Sequence, residues 1–355
     1  TDLPSGHTMV MGNKTSDFDL YSVENAKVIV TWGKNMIVSK MVDSHWLTEA
    51  RLHGAKVITI ATEYQSTSNK ADQVVILRPA TDCALALGLA YVMIGEKIYD
   101  ADYVKHSTDM PFLLRMDTLK LLRARDIIPD YTPAELTNYI KTLKPGEKPP
   151  SIARQGIQYV SEEIRNEWDD FVAWDLSTDS PQVVTRDDVG DHFSKLGINP
   201  ALEGTYEITT VQGETVRVRP VFDVITEYLM DNCDVKTTSE ITGVPEEGIV
   251  SLAHTMAENL GSVLSITGMG PNQYWNADLK DRAIFLVAAL TGNEGHFGGG
   301  VGSYAGNYRL EMFAGVPQFA VEDPFNIELD PTKPAKLKKY LKYESAHYYG
   351  YGDRP

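Results

Sequence analysis

Cysteine is nearly absent from this chain: Cys83 and Cys233, with no close spacing, are the whole complement. Two isolated thiols exclude a disulfide framework, a zinc site built on cysteine pairs, and a cysteine-held iron–sulfur cluster within these 355 residues. Long hydrophobic runs are missing too. The longest, Cys83 to Ile94, is too short to span a bilayer, so no direct membrane insertion is expected. Positive charge is in deficit, with 33 Lys and Arg against 49 Asp and Glu and a net charge of −16. A nucleic-acid partner requires a basic face, and none is expected here. Motifs with built-in catalysis are absent as well: HExxH, G-x-S-x-G and the full G-x-G-x-x-G do not occur. His7, His45, His106 and His296 lack metal-ligand spacing, and buried or surface roles suit them better. No nucleophile has an adjacent base.

What is present is an ordinary globular composition, 43% apolar and 23% charged, long enough for two domains. Its clearest signal is Val28-Ile29-Val30-Thr31, a buried strand, broken by the loop Trp32–Asn35. A long helix is predicted from Met36 to His53, closed by Gly54, and Lys56–Ile60 forms a second strand. This is a βαβ unit, with a crevice at the carboxyl ends of its strands. A third strand, Val74–Leu77, leads to Thr81 or Asp82 as the cap of an apolar helix through Met93. Residues 100–145 read as helical and charged, and the three prolines of Lys144–Ser151 as a linker. Residues 151–200 read as an insertion or surface excursion. Glu207–Thr210 and Thr215–Arg219 form a hairpin, and Gly243 with Pro245 connects two helices. The strand–loop–helix pattern then recurs: Val263–Thr267, Gly268–Gln273, and Asp278–Leu290. The expected class is α/β, a Rossmann-like doubly wound parallel sheet domain over 1–145 plus a second α/β domain over 201–310. A linker or insertion at 146–200 and an irregular extension at 311–355 complete the partition. The chain starts at Thr1 without Met and has no finished terminus, so we read it as part of a larger polypeptide.

Each candidate site has a plain alternative. The Trp32–Asn35 loop suits a phosphate through its backbone N–H groups, or is a simple strand–helix turn. Lone Gly33 argues against plain NAD binding. Glu63 stands where an acid accepts hydrogen bonds from a ribose, or is a solvated loop acid. Asp82 either caps its helix or receives two N–H donors from a guanine edge. Seven glycines fall between Gly292 and Gly306, interleaved with Asn293, His296 and Phe297. Such density marks either a flexible linker or backbone in close approach to a ligand. Two phosphate-suited loops without a catalytic cluster suggest a cofactor that performs the chemistry while the protein holds it.

Several runs, in order, carry a family likeness: Val28–Asn35, Asp43-Ser44-His45, Glu49-Ala50-Arg51, Gly54-Ala55-Lys56, Arg78–Leu85, Thr108–Pro111, Ile241–Pro245, Gly268-Met269-Gly270 and Leu290–Gly295. The chain resembles the molybdopterin oxidoreductases of the dimethyl sulfoxide reductase family. The likeness is to its type II branch, nearest nitrite oxidoreductase and respiratory nitrate reductase alpha subunits. The resemblance implies molybdenum bis(molybdopterin guanine dinucleotide) and two-electron oxygen-atom transfer between nitrite and nitrate. Selenate or (per)chlorate reduction and ethylbenzene-type dehydrogenation are the alternatives within the branch. A nucleotide-binding module without redox chemistry is the alternative of another class. It also implies a [4Fe-4S] cluster and a metal-ligating acid upstream of Thr1, an iron–sulfur beta subunit, a haem-containing gamma subunit, and an extracytoplasmic or cytoplasmic-face position. For site residues it implies Gly12, Thr15, Trp32, Gly33, Asn35, Glu63, Gln65 and Asp82 around one dinucleotide. Around the other it implies Gly268, Gly270, Asn272, Gln273, Gly292, Asn293, and Gly298 to Gly300. The chain departs from the family where Asn35-Met36 replaces Asn-Pro. It departs again where Ala80-Thr81-Asp82 replaces Gly-Thr-Asp, removing one residue of backbone freedom.

Overall fold

A computed structural model describes residues 6–7, 10, 20–136, 140–147, 158–185, 193, 196–274 and 277–303. In chain order the main elements begin with β1 (Val28–Trp32), α1 (Met36–Ser39), α2 (Ser44–Leu52), β2 (Lys56–Ala61), β3 (Gln73–Ile76) and α3 (Asp82–Gly95). Next come β4 (Leu113–Arg115), β5 (Phe171–Asp175), β6 (Ser180–Val184), β7 (Tyr206–Thr209) and β8 (Thr215–Pro220). The last are α4 (Val235–Thr242), α5 (Glu246–Ala257), β9 (Val263–Thr267), α6 (Ala277–Leu290) and β10 (Gly300–Gly302). Backbone contacts group the described residues into two compact units, one up to Tyr103 together with the stretch from Thr226, the other from Val104 to Ile225.

The first unit is built on a five-stranded sheet in the order β10-β9-β1-β2-β3, with every pairing parallel. All five residues of β1 and of β9 are buried, as continuous apolar strands covered on both faces must be. Val28 pairs with both Val263 and Lys56, and Trp32 with both Thr267 and Ile60. One face is sealed by Ile29, Val57, Leu264 and Ile266 against Met36, Leu47 and Ala50 of the helices after β1. Each such aliphatic side chain contributes roughly 1.5–3 kcal/mol of burial. Helix α3 packs against α6, α5 and α4. It meets α4 at Gly88, where a Cβ would lie 2.5 Å from Thr238. Gly243 ends α4 with a left-handed φ of 76°, and Pro245 opens α5 as the sequence pattern predicts.

Several expectations change. The long helix over 36–53 is two short ones, broken at 40–43. Ser39 Oγ donates back to the Asn35 carbonyl at 2.8 Å, and Val38, Met41 and Val42 are 59%, 72% and 85% exposed. Their apolar spacing therefore buries nothing that would hold a continuous helix. Among the described residues of 100–145, helix is confined to Ala101–Ser107 and Ala124–Ile127, and β4 intervenes. The hairpin β7–β8 forms as predicted but pairs with β4, in the second unit. Strand β9, expected in the second domain over 201–310, lies directly beside β1, so one sheet spans both predicted domains. Much of 158–202 is core of the second unit: Phe171, Val172, Val184 and Phe193 are buried. There, buried Arg165 binds Asp170 Oδ1 at 2.5 Å and the carbonyls of Ala134 and Asp169 at 2.9 Å. Those three bonds compensate the charge removed from water. Residues 148–157, 186–192 and 194–195 of the predicted linker, and the extension 311–355, lie outside the described residues.

Candidate functional site

Strand order reverses at β1, whose successors run outward on one side and whose late partners β9 and β10 lie on the other. In open parallel sheets the crevice beyond the carboxyl ends at that reversal is the ligand position. Here it is bounded by the loops after β1 and β9. The Gly268 N–H donates to the Trp32 carbonyl at 2.7 Å. A Cβ at Gly268 would fall 2.0 Å from the Gly33 carbonyl oxygen, and one at Gly33, φ 57°, would meet Pro271 at 2.5 Å. Both positions therefore require glycine, so that two backbones can touch.

The loop after β2 is tied to the loop after β1. The Thr67 hydroxyl donates to Asn35 Oδ1 at 3.1 Å and accepts the Ile37 N–H at 3.2 Å. Gln65 opens the 3-10 turn Ser66–Lys70, and Glu63 stands exposed just past β2. The indole N–H of Trp32 and the amide nitrogen of Gln65 are buried and have no hydrogen-bond partner among the described residues. Asp82, 5% exposed, begins α3 past β3. Burial pushes its carboxyl up to about 6; nearby Lys280 opposes that shift and Asp281 adds to it.

Three further residues, which spacing alone did not single out as a site, join this edge. Lys280 Nζ binds Asn272 Oδ1 at 2.5 Å and the carboxylate of Asp281. His7 Nδ1 lies 3.5 Å from Asp281 Oδ1, and all four side chains are buried. Burial raises the Asp281 carboxyl, yet His7 and Lys280 together hold it below the usual carboxylate range. The available signal was weak: Lys280 and Asp281 sit among four charges, with Asp278 and Arg282, in the first half of helix α6. Gly270 and Gln273 are exposed on the same loop as Asn272.

The glycine cluster is elsewhere. Asn293 Oδ1 accepts the N–H of Val263, the first residue of β9, at 3.1 Å, and its amide donates to Thr291 Oγ1 at 2.5 Å. The Gly298 N–H donates to Ser22 Oγ at 2.7 Å, and a Cβ at Gly298 would lie 2.4 Å from the backbone of Asn25, ahead of β1. One at Gly299 would lie 2.4 Å from the Asn293 carbonyl oxygen. Gly292, Asn293, Gly298, Gly299 and Gly300 thus sit at the amino edge, a strand length of roughly 15 Å from Gly33. The residues that the resemblance assigns to the second dinucleotide therefore divide between the two edges, because a turn leading into a parallel strand must return to the edge where that strand starts. Gly12 and Thr15 lie outside the described residues.

Residues 2–342 match the family model described as molybdopterin oxidoreductase. The chain belongs to the molybdopterin oxidoreductase family. It is 33% identical over 319 residues to the perchlorate reductase subunit alpha of Dechloromonas aromatica (strain RCB), covering 90% of this chain and 33% of that protein. It is 30% identical over 321 residues to the respiratory nitrate reductase subunit alpha of Haloferax mediterranei, covering 89% and 29%. Against the chlorate reductase subunit alpha of Ideonella dechloratans it is 30% identical over 305 residues, covering 85% and 28%. The chain spans about a third of the length of these relatives. Among solved structures, acetylene hydratase from Pelobacter acetylenicus aligns with TM-score 0.44 and 14% identity, over 82% of this chain and 24% of that one.

The carboxyl edge fits the cofactor that the family name implies. Orphaned donors at Trp32 and Gln65 suit an acceptor-rich anion, and Asp82 offers a paired acceptor. A groove of about 650 Å³ in the second unit, between Trp174, Pro181 and Ile208, has no comparable set.

Proposed function

We propose that this chain forms a cofactor-holding core in the catalytic subunit of a molybdenum bis(molybdopterin guanine dinucleotide) oxidoreductase. The observation that carries the reading is the pair of buried, unsatisfied donors beside the glycine contact of β1 and β9. Native proteins rarely leave such groups without a partner, and a diphosphate or a pterin ring supplies acceptors. On this reading Trp32, Gly33, Asn35, Glu63, Gln65 and Asp82 hold one dinucleotide, and Gly268, Gly270, Asn272 and Gln273 adjoin it. Bound molybdenum supplies two-electron oxygen-atom transfer. The chain's own share is to orient the cofactor, exclude water, and hold the guanine edge on ionised Asp82.

The names of the relatives support a small oxyanion as substrate. We read the nitrite–nitrate couple as the reaction, with perchlorate, chlorate or selenate, or a hydrocarbon, as the alternatives. An iron–sulfur cluster in the rest of the subunit, an iron–sulfur beta partner and a haem-bearing gamma partner would carry the electrons, on the extracytoplasmic side. Metal and nucleotide analysis of the complete subunit tests the core of this: molybdenum (or tungsten) with guanine nucleotide released on denaturation is expected. Absence of both ends the proposal, and an oxyanion activity panel chooses the substrate.

A further inference from the structure

The loop likeness fixes Trp32, Gly33 and Asn35 and leaves the position between the last two unassigned; this chain places Lys34 there. Lys34 is 6% exposed. Its stem is covered and its ammonium half-buried, and it makes no hydrogen bond or ion pair with any described residue. The charged groups nearest it do not compensate. Lys40 repels it, and Asp43, the one acid acting on it, already pairs with Lys40 at 3.2 Å. Burial first and Lys40 second bring the Lys34 ammonium down to about 8. Its Cα lies 3.0 Å from where a Cβ on Gly268 would stand, so it sits at the junction of the β1 and β9 loops. Two residues earlier the Trp32 indole N–H is also unmatched. A half-buried cation and a buried N–H donor two residues apart at one strand end suit a multiply charged anion.

We propose that Lys34 is the cation that binds the diphosphate of the dinucleotide; this rests on the function proposed above. The assignment does not lean on a helix dipole, since α1 is a single turn. The probe is inorganic pyrophosphate, titrated against the full-length subunit purified from cells unable to make the pterin, with binding read from the thermal midpoint. Lys34→Met is expected to weaken pyrophosphate about tenfold or more, and Lys34→Arg to restore binding to within about threefold. Unchanged binding in Lys34→Met, or none in the wild type, overturns the assignment. Methionine removes an unpaired charge at matched length and should fold; Lys34→Gln is the second variant if it does not accumulate. Guanine nucleotide released from cofactor-loaded subunit is the parallel readout. Wild-type subunit that binds pyrophosphate but never carries guanine nucleotide would sink the proposed function and leave Lys34 an anion site of another kind.

Discussion

The two edges of the five-stranded sheet are made from the same kinds of residue and behave oppositely. At the amino edge, glycines and an asparagine find partners within the chain: Asn293 uses both ends of its amide, and Gly298 finds Ser22. Glu294 accepts the Val301 N–H at 2.8 Å and, through its carbonyl, the Tyr103 hydroxyl at 3.0 Å. At the carboxyl edge, glycines again let backbones touch, yet the buried indole N–H of Trp32 and amide nitrogen of Gln65 are left unmatched among the described residues, and half-buried Lys34 has no ion-pair partner there. Glycine density therefore does not mark a site. An unbalanced inventory of buried donors does, because an unmet polar group costs about 1–3 kcal/mol and persists where something else will meet it.

The sharpest way to break this contrast is at Gly298. Its φ is 80° and an alanine Cβ would press on the Asn25 and Ala26 backbone at 2.4–2.5 Å. Gly298→Ala should destabilise the protein by roughly 3 kcal/mol or more in urea unfolding, the cost of strain plus overpacking. A variant of unchanged stability would mean that the amino edge is not the closed structure described.

Asp82 sharpens the other side. Its folded carboxyl titrates near 6, above an ordinary value of 3.8, so between those values the folded state binds more protons than the unfolded one. Stability from this group is fully present below pH about 4 and lost as pH rises through about 6, some 3 kcal/mol in all. In cofactor-free protein, Asp82→Asn should remove that part of the pH dependence and raise stability at pH 7. Burial pushes Glu294 up as well while Asp281 is held low, with slopes of opposite sign, so the readout is the difference between the two curves. Parallel pH–stability curves for wild type and variant would contradict the assignment.

The smallest effect is expected at Ala80, where the family pattern has glycine. The backbone keeps the glycine conformation, φ 68°, with a methyl group in place. Left-handed alanine costs about 1–2 kcal/mol, while glycine gives back 0.5–1 through unfolded-chain entropy. Ala80→Gly should therefore gain about 0.5 kcal/mol. A loss measured by thermal unfolding would show that the loop before Asp82 is not strained.

Much of the fold was legible because fully buried parallel strands write themselves as unbroken apolar runs. Val28–Thr31, Lys56–Ile60 and Val263–Thr267 were each read within a residue or two of the observed strands. Helices 82–95 and 277–290 were equally plain, and so was the Gly243–Pro245 connection. The carboxyl-edge loops followed from strand direction. The break at 40–43 did not, because helical spacing of Val38, Met41 and Val42 says nothing of whether a partner surface exists. Lys280 and Asp281 stayed hidden as ordinary charges until helix packing buried them.

By itself the sequence determined the local pieces and the family, since strand burial, caps and loop residues are encoded within a few positions. Tertiary structure alone decided that β9 lies against β1, that one glycine loop faces the crevice and the other the opposite edge, and which polar groups remain unmatched. Those facts depend on which strands neighbour each other, and pairing between residues more than two hundred positions apart leaves no local mark.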